Sequence, residues 1–164
     1  MIISLRTGMH DCWTILRRIQ LLSDRYWHSL TFAGQLEFYV THEMFLGGAG
    51  TVFVAVCRLD RDRSREQALA SLQYWLRFIA SCSGAAGGMA PAVAVVANVG
   101  EGADAVATQA WLDGLQPMLR RTFGSALRLA DAAVALDCRN RKGAGSARLR
   151  ELLKACLFCT ARGF

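Results

Sequence analysis

The sequence predicts an α/β domain built on a mostly parallel sheet, and three observations carry that prediction. Two runs of β-branched and small apolar residues, 51–57 and 92–97, contain no charge, as expected of strands covered on both faces. The segments between and after them repeat apolar residues every three or four positions, which marks amphipathic helices. From residue 51 onward the order is strand, helix, strand, helix, strand, helix with short links, and such alternation requires crossovers onto a parallel sheet.

Taken along the chain, residues 2–5 suit a short strand, and 11–22 place Trp13, Ile15, Leu16, Ile19 and Leu22 at helical spacing around Arg17, Arg18 and Gln20. Residues 26–32 mix aromatic and aliphatic side chains with His28, Ser29 and Thr31 and predict a strand ending at the turn Ala33-Gly34. A short helix or turn is expected at 41–46. The strand 51–57 is broken by the charged stretch 58–65. A helix over 66–82 sets Leu69, Leu72, Leu76 and Ile79 on one broad face with Trp75 and Phe78 beside them, and the glycines of 84–88 end it. After the second buried strand, 92–97, comes a loop at 98–102. A helix over 108–123 carries Trp111, Leu112, Leu115, Met118, Leu119 and Phe123, with Pro117 expected to kink it or divide it in two. A third short strand is expected at 132–136. The glycine-rich basic loop 140–145 then leads into a last helix, 147–158, with Leu149, Leu152, Leu153 and Cys156 on one side.

The 164 residues amount to about one domain. With 53% hydrophobic and 20% charged residues, the chain can bury a core, which argues against disorder, and 15 Gly against 2 Pro excludes a collagen-like or proline-rich polymer. Residues 1–138 hold 12 Lys/Arg and 12 Asp/Glu, whereas 139–164 hold 7 and 1, so the net charge of +6 sits in the tail. Arg148 and Lys154 fall on the polar face of the last helix and no aromatics interleave with the basic residues, so nucleic-acid binding is not expected. The opening apolar run is too short for a signal peptide, and the longest apolar stretch, 89–99, is far below the roughly 20 residues that span a bilayer. Six scattered cysteines read as reduced thiols, and a cytoplasmic protein is expected. Cys156 and Cys159 lack the two further ligands a structural zinc site needs, and they lie at a helix C-terminus, the wrong end for a redox thiol. His42 has no nucleophile or carboxylate partner in view and reads as a packed or capping residue.

The segment from Phe32 through Ala33, Gly34, Gln35, Phe38, Tyr39, Thr41, His42, Phe45 and Leu46 resembles the switch segment of Roc (Ras-of-complex) domains, the GTPase modules of Roco proteins. Downstream order agrees: a strand ending in Arg58-Leu59-Asp60, a helix with Tyr74-Trp75-Leu76, a strand running into Asn98, then Asp137-Cys138-Arg139 before the last helix. The likeness covers residues 25–158, leaving an N-terminal strand and helix in 1–24 and a tail at 159–164. It implies a Ras-like P-loop GTPase three-layer sandwich, and in an intact relative GTP and Mg²⁺ binding, dimerisation and a neighbouring COR domain in a larger Roco-type chain.

The departures from that pattern are chemical. Phosphoryl transfer in this superfamily needs a Gly-rich loop ending in Lys-Ser/Thr, whose backbone N–H groups and ammonium cradle the phosphates while the hydroxyl holds Mg²⁺. This sequence lacks the phosphate-binding loop: Thr7-Gly8-Met9-His10-Asp11 stands in its place with one Gly and no Lys. Thr31 replaces the metal-directed Asp. The resemblance puts Gln35 where Ras-like enzymes orient the attacking water, as the candidate catalytic residue, with Gly34 beside it. The base-reading loop corresponds to Asn98-Val99-Gly100-Glu101. Glu101 can still accept two guanine N–H donors, although its extra methylene moves the carboxylate by about 1.5 Å relative to Asp. Gly34, Asn98 and Glu101 are therefore the candidate nucleotide contacts, and no metal ligand is assigned.

The expected function is a degenerate Roc-like domain acting as a signalling, binding or dimerisation module with weak or no GTP binding. Two alternatives stand beside it: a fragment of an active Roco-family GTP hydrolase whose Walker A loop is missing from this chain, and an α/β adaptor with no nucleotide history. Loss of the first strand and phosphate loop would leave an open sheet edge and an apolar strip, which predicts a homo-oligomer.

Overall fold

The computed structural model describes residues 2–4, 31–32, 52–83, 90–140 and 143–161. Its centre is a parallel sheet of three long strands. β3 (Val52–Leu59) pairs with β4 (Ala92–Val99), and β4 pairs with β5 (Arg128–Leu136). Two short strands, β1 (Ile2–Ser4) and β2 (Thr31–Phe32), extend it to the order β2-β1-β3-β4-β5, with every pairing parallel. β1 lies where a short strand is expected at 2–5, and β2 at the end of the strand expected at 26–32.

Three helices complete the described architecture. α1 (Arg65–Ser83) and α2 (Ala105–Phe123) cover one face of the sheet, where Phe53, Ala55, Cys57 and Leu59 of β3 meet Leu72, Leu76, Ile79, Leu112 and Leu119. α3 (Ala144–Ala161) covers the other, where Val52, Val54 and Val56 meet Leu149, Leu153 and Cys156. Successive residues of a strand point to opposite faces, so a strand with helices on both sides must be apolar at every position. That is why 51–57 and 92–97 show no alternation. The result is an α/β fold in three layers, as expected. Among the described residues, no helix is long and apolar enough to cross a membrane.

The element boundaries differ from the sequence reading for local reasons. α1 starts one residue early because Ser64 and Gln67 form a capping box: Gln67 N donates to Ser64 Oγ at 3.3 Å and Ser64 N donates to Gln67 Oε1 at 3.1 Å. α2 starts three residues early, capped by Asp104, whose side chain accepts from Val106 N. Pro117 does not divide α2, which continues through it. Pro117, Asp113 and Gly114 are all exposed, so the ring and the carbonyl it leaves unbonded face solvent, while Leu112 and Leu119 anchor the helix on either side. β5 begins four residues earlier than expected and carries an irregularity: Val93 pairs with Leu129 but Val95 pairs with Ala133, so β5 spends two extra residues there. β3 and β4 each run two residues further than expected, through Arg58-Leu59 and Asn98-Val99, which pair with each other.

Candidate functional site

Between β3 and β1 the strand order reverses direction, and in open parallel sheets ligands bind beyond the carboxyl ends of the strands at such a reversal. At that edge the face under α3 changes character. Val52, Val54 and Val56 of β3, and Ala92, Ala94 and Val96 of β4, are all apolar and buried, but the next residues in the same alternation are Arg58 and Asn98, which stand opposite each other in the ladder. Leu136 of β5 continues the row.

Each polar member of this row is held differently. Arg58 Nε makes an ion pair with Asp60 Oδ2, and the Asp60 side chain is only 10% exposed. Asp60 Oδ1 also accepts from Asp62 N at 3.1 Å. Asn98 is 4% exposed, and its Oδ1 is buried with no hydrogen-bond partner among the described residues. Leaving such an oxygen unsatisfied costs about 1–3 kcal/mol.

The turn after β4 is locked against the turn after β3. Gly100 N donates to Leu59 O at 2.7 Å and Arg61 N donates to Glu101 O at 3.1 Å. The approach is so close that a Cβ on Gly100 would lie 2.6 Å from Asp60 Cβ, so only glycine fits. Glu101 is exposed and its backbone carbonyl is committed to this lock, which leaves its carboxylate on the outer side of the turn. After β5, Asp137 Oδ1 accepts from Arg139 N at 2.9 Å and from Arg139 Nε at 3.0 Å. Those bonds to the arginine hold the Asp137 carboxyl below its ordinary range.

Of the residues singled out from sequence, Asn98 and Glu101 are thus placed at one edge, three residues apart, with Asn98 at the end of the strand instead of in the loop expected at 98–102. Gln35 and Gly34 lie outside the described residues, as do His42 and the segment 7–11. Thr31 is in β2. Arg58 and Asp60 belong to the charged stretch 58–65 expected to break the strand; the signal that sets Arg58 apart is a charge at an even position just past three buried even-numbered valines. Among the described residues there is no group of three or more His, Cys, Asp or Glu that could hold a metal ion. Asn98 Oδ1 and the exposed Glu101 carboxylate are both hydrogen-bond acceptors. A separate open groove of ≈ 570 Å³ lies between β5 and α3, lined by Ala132, Val134 and Leu152 with Arg148, Arg150 and Lys154. Lys154 pairs with Glu151 at 2.8 Å and Arg150 Nε donates to Ser146 O at 3.4 Å, so two of those cations serve the helix itself.

No family model matches the chain, and no curated protein or solved structure matches it.

Proposed function

We propose that the chain is a Ras-like domain of the Roc type that has given up phosphate chemistry and serves as a signalling, binding or dimerisation module with weak or no GTP binding. The observation that carries this reading is Asn98. Its buried Oδ1, without a hydrogen-bond partner among the described residues, lies at the carboxyl end of β4, where the resemblance puts the residue that reads a base. The strand order supports it, because the reversal between β1 and β3 puts that edge where parallel sheets take ligands. Gly34, Gln35 and Glu101 complete the nucleotide contacts that the resemblance implies. The absent Gly-Lys-Ser/Thr loop argues that polyphosphate is not gripped well. In this reading the domain works through self-association or within a larger Roco-type protein.

Titration with fluorescently labelled GTP and Mg²⁺ tests the proposal. The expected half-saturation lies above ~100 μM, a free energy weaker than about −5.5 kcal/mol, and whatever binding remains falls further in Asn98→Val. Micromolar or tighter binding would overturn the non-catalytic reading in favour of a hydrolase fragment.

A further inference from the structure

We infer that Gln109 seals the outer edge of the sheet, its side-chain amide standing in for one residue of a sixth strand and so keeping a second copy of this chain from pairing along β5. β5 is the outermost described strand on its side, and an unpaired edge is a template for another chain. In a parallel ladder, a neighbouring residue opposite Val134 would donate its N–H to the carbonyl of Ala133 and accept from the N–H of Ala135. Gln109 does both. Its Nε2 donates to Ala133 O at 3.0 Å, and its Oε1 accepts from Ala135 N at 2.9 Å.

The amide is fixed for this task. Its second N–H donates to Asp113 Oδ1 at 2.8 Å, one helical turn along α2, which settles which end of the amide is oxygen and which is nitrogen. Gln109 is half-buried. Farther along the same helix Arg120 Nη2 reaches Ala130 O at 3.3 Å and Asp131 Oδ1 at 3.0 Å, just where the two extra residues of β5 bend the edge. Gln116 lies on the same stripe with a buried Oε1 that has no partner among the described residues, so the bonded members of the seal are Gln109 and Arg120. Bulges and inserted polar groups are how natural sheets keep edges from pairing. The inference is independent of the nucleotide reading.

Two measurements test it. In the unaltered chain, hydrogen exchange of the Ala135 amide is expected to be at least ~100-fold slower than that of an unprotected peptide. Exchange at the unprotected rate would overturn the proposal, and this arm does not depend on any variant folding. In Gln109→Leu, similar in length but unable to bond, the Ala135 amide is expected to exchange at least ~10-fold faster at dilutions where the variant is monomeric, and at higher concentration sedimentation velocity should show species that grow with concentration. The double variant Gln109→Leu with Ala135→Pro should sediment like the unaltered chain, because proline removes the outward N–H and leaves Val134 to bond β4. Association through any other surface is common to all three proteins and cancels in the comparison. A folded Gln109→Leu protein that sediments like the unaltered chain would also overturn the proposal.

Discussion

Cys57 illustrates how much a single buried side chain is governed by its surroundings. It sits in β3 under α1 and α2, 1% exposed, and burial pushes its thiol up to about 12 from an ordinary 9.0, against the opposing pull of a backbone hydrogen bond and of Arg63. The thiol is therefore a packed apolar group. Its consequence for stability has a definite sign. Above pH 9 the unfolded chain loses this proton and the folded chain keeps it, so the contribution is fully present below pH 9 and is lost as the pH climbs toward 12, at about 1.4 kcal/mol per pH unit. Urea unfolding between pH 8 and pH 11 should show the unaltered protein losing stability more steeply than Cys57→Ala, with the difference in slope near that value. Equal slopes would mean that the thiol titrates alike in both states. Nothing in the residue pattern hints at this strength of burial beyond a cysteine in an apolar run. Nor did it separate Arg58 and Asp60 from the exposed charges around them, because an ion pair turned toward the sheet has the same composition as one turned toward water.

At the level of elements, the long periodic segments were legible and their ends were not. Helices α1 and α2 and strands β3 and β4 declare themselves because their apolar residues are dictated by burial against the sheet. Their limits are set by contacts that no local pattern encodes, such as the Arg58–Asn98 pairing that lengthens two strands or the two extra residues that break the register of β5. Pro117 does not divide α2, because the Asp113 carbonyl that its ring leaves unbonded lies on the exposed side of the helix. Only the half of the candidate site at Asn98 and Glu101 can be compared with the sequence reading, since Gly34 and Gln35 fall outside the described residues. Two glycines show the same dependence on surroundings. Around Gly114, on the exposed side of α2, a Cβ would meet nothing within 4 Å, whereas at Gly100 it would collide with Asp60. Gly114→Ala should therefore raise stability by about 0.5–1 kcal/mol, through the helix entropy that glycine forgoes. Gly100→Ala should lower it and loosen the lock between the turns after β3 and β4. Thermal unfolding of the two variants checks the pair, and a stabilised Gly100→Ala protein would show that the two turns are not in contact.

For the whole described molecule, the governing fact is one sheet shared by two cores. Every residue of β4 is buried, and its side chains alternate between the core under α1 and α2 and the core under α3. The two cores touch different side chains, so cavities made in them should not share neighbours. They depend on the same strands, so neither should melt while the other stands. These two statements make a joint prediction. Ile79→Val, in the first core, should cost about 0.5–1.5 kcal/mol, and Leu149→Ala, in the second, about 2–5 kcal/mol. Because the substitutions lie on opposite sides of the sheet, the double variant should lose their sum within about 0.5 kcal/mol. All three proteins should unfold in a single urea transition with the same dependence on denaturant, as expected when the same surface is exposed each time. A shallower or split transition confined to Leu149→Ala would mean that α3 comes away from the sheet on its own. The α1 and α2 side would then be the independently stable unit, and the three layers would not act as one body.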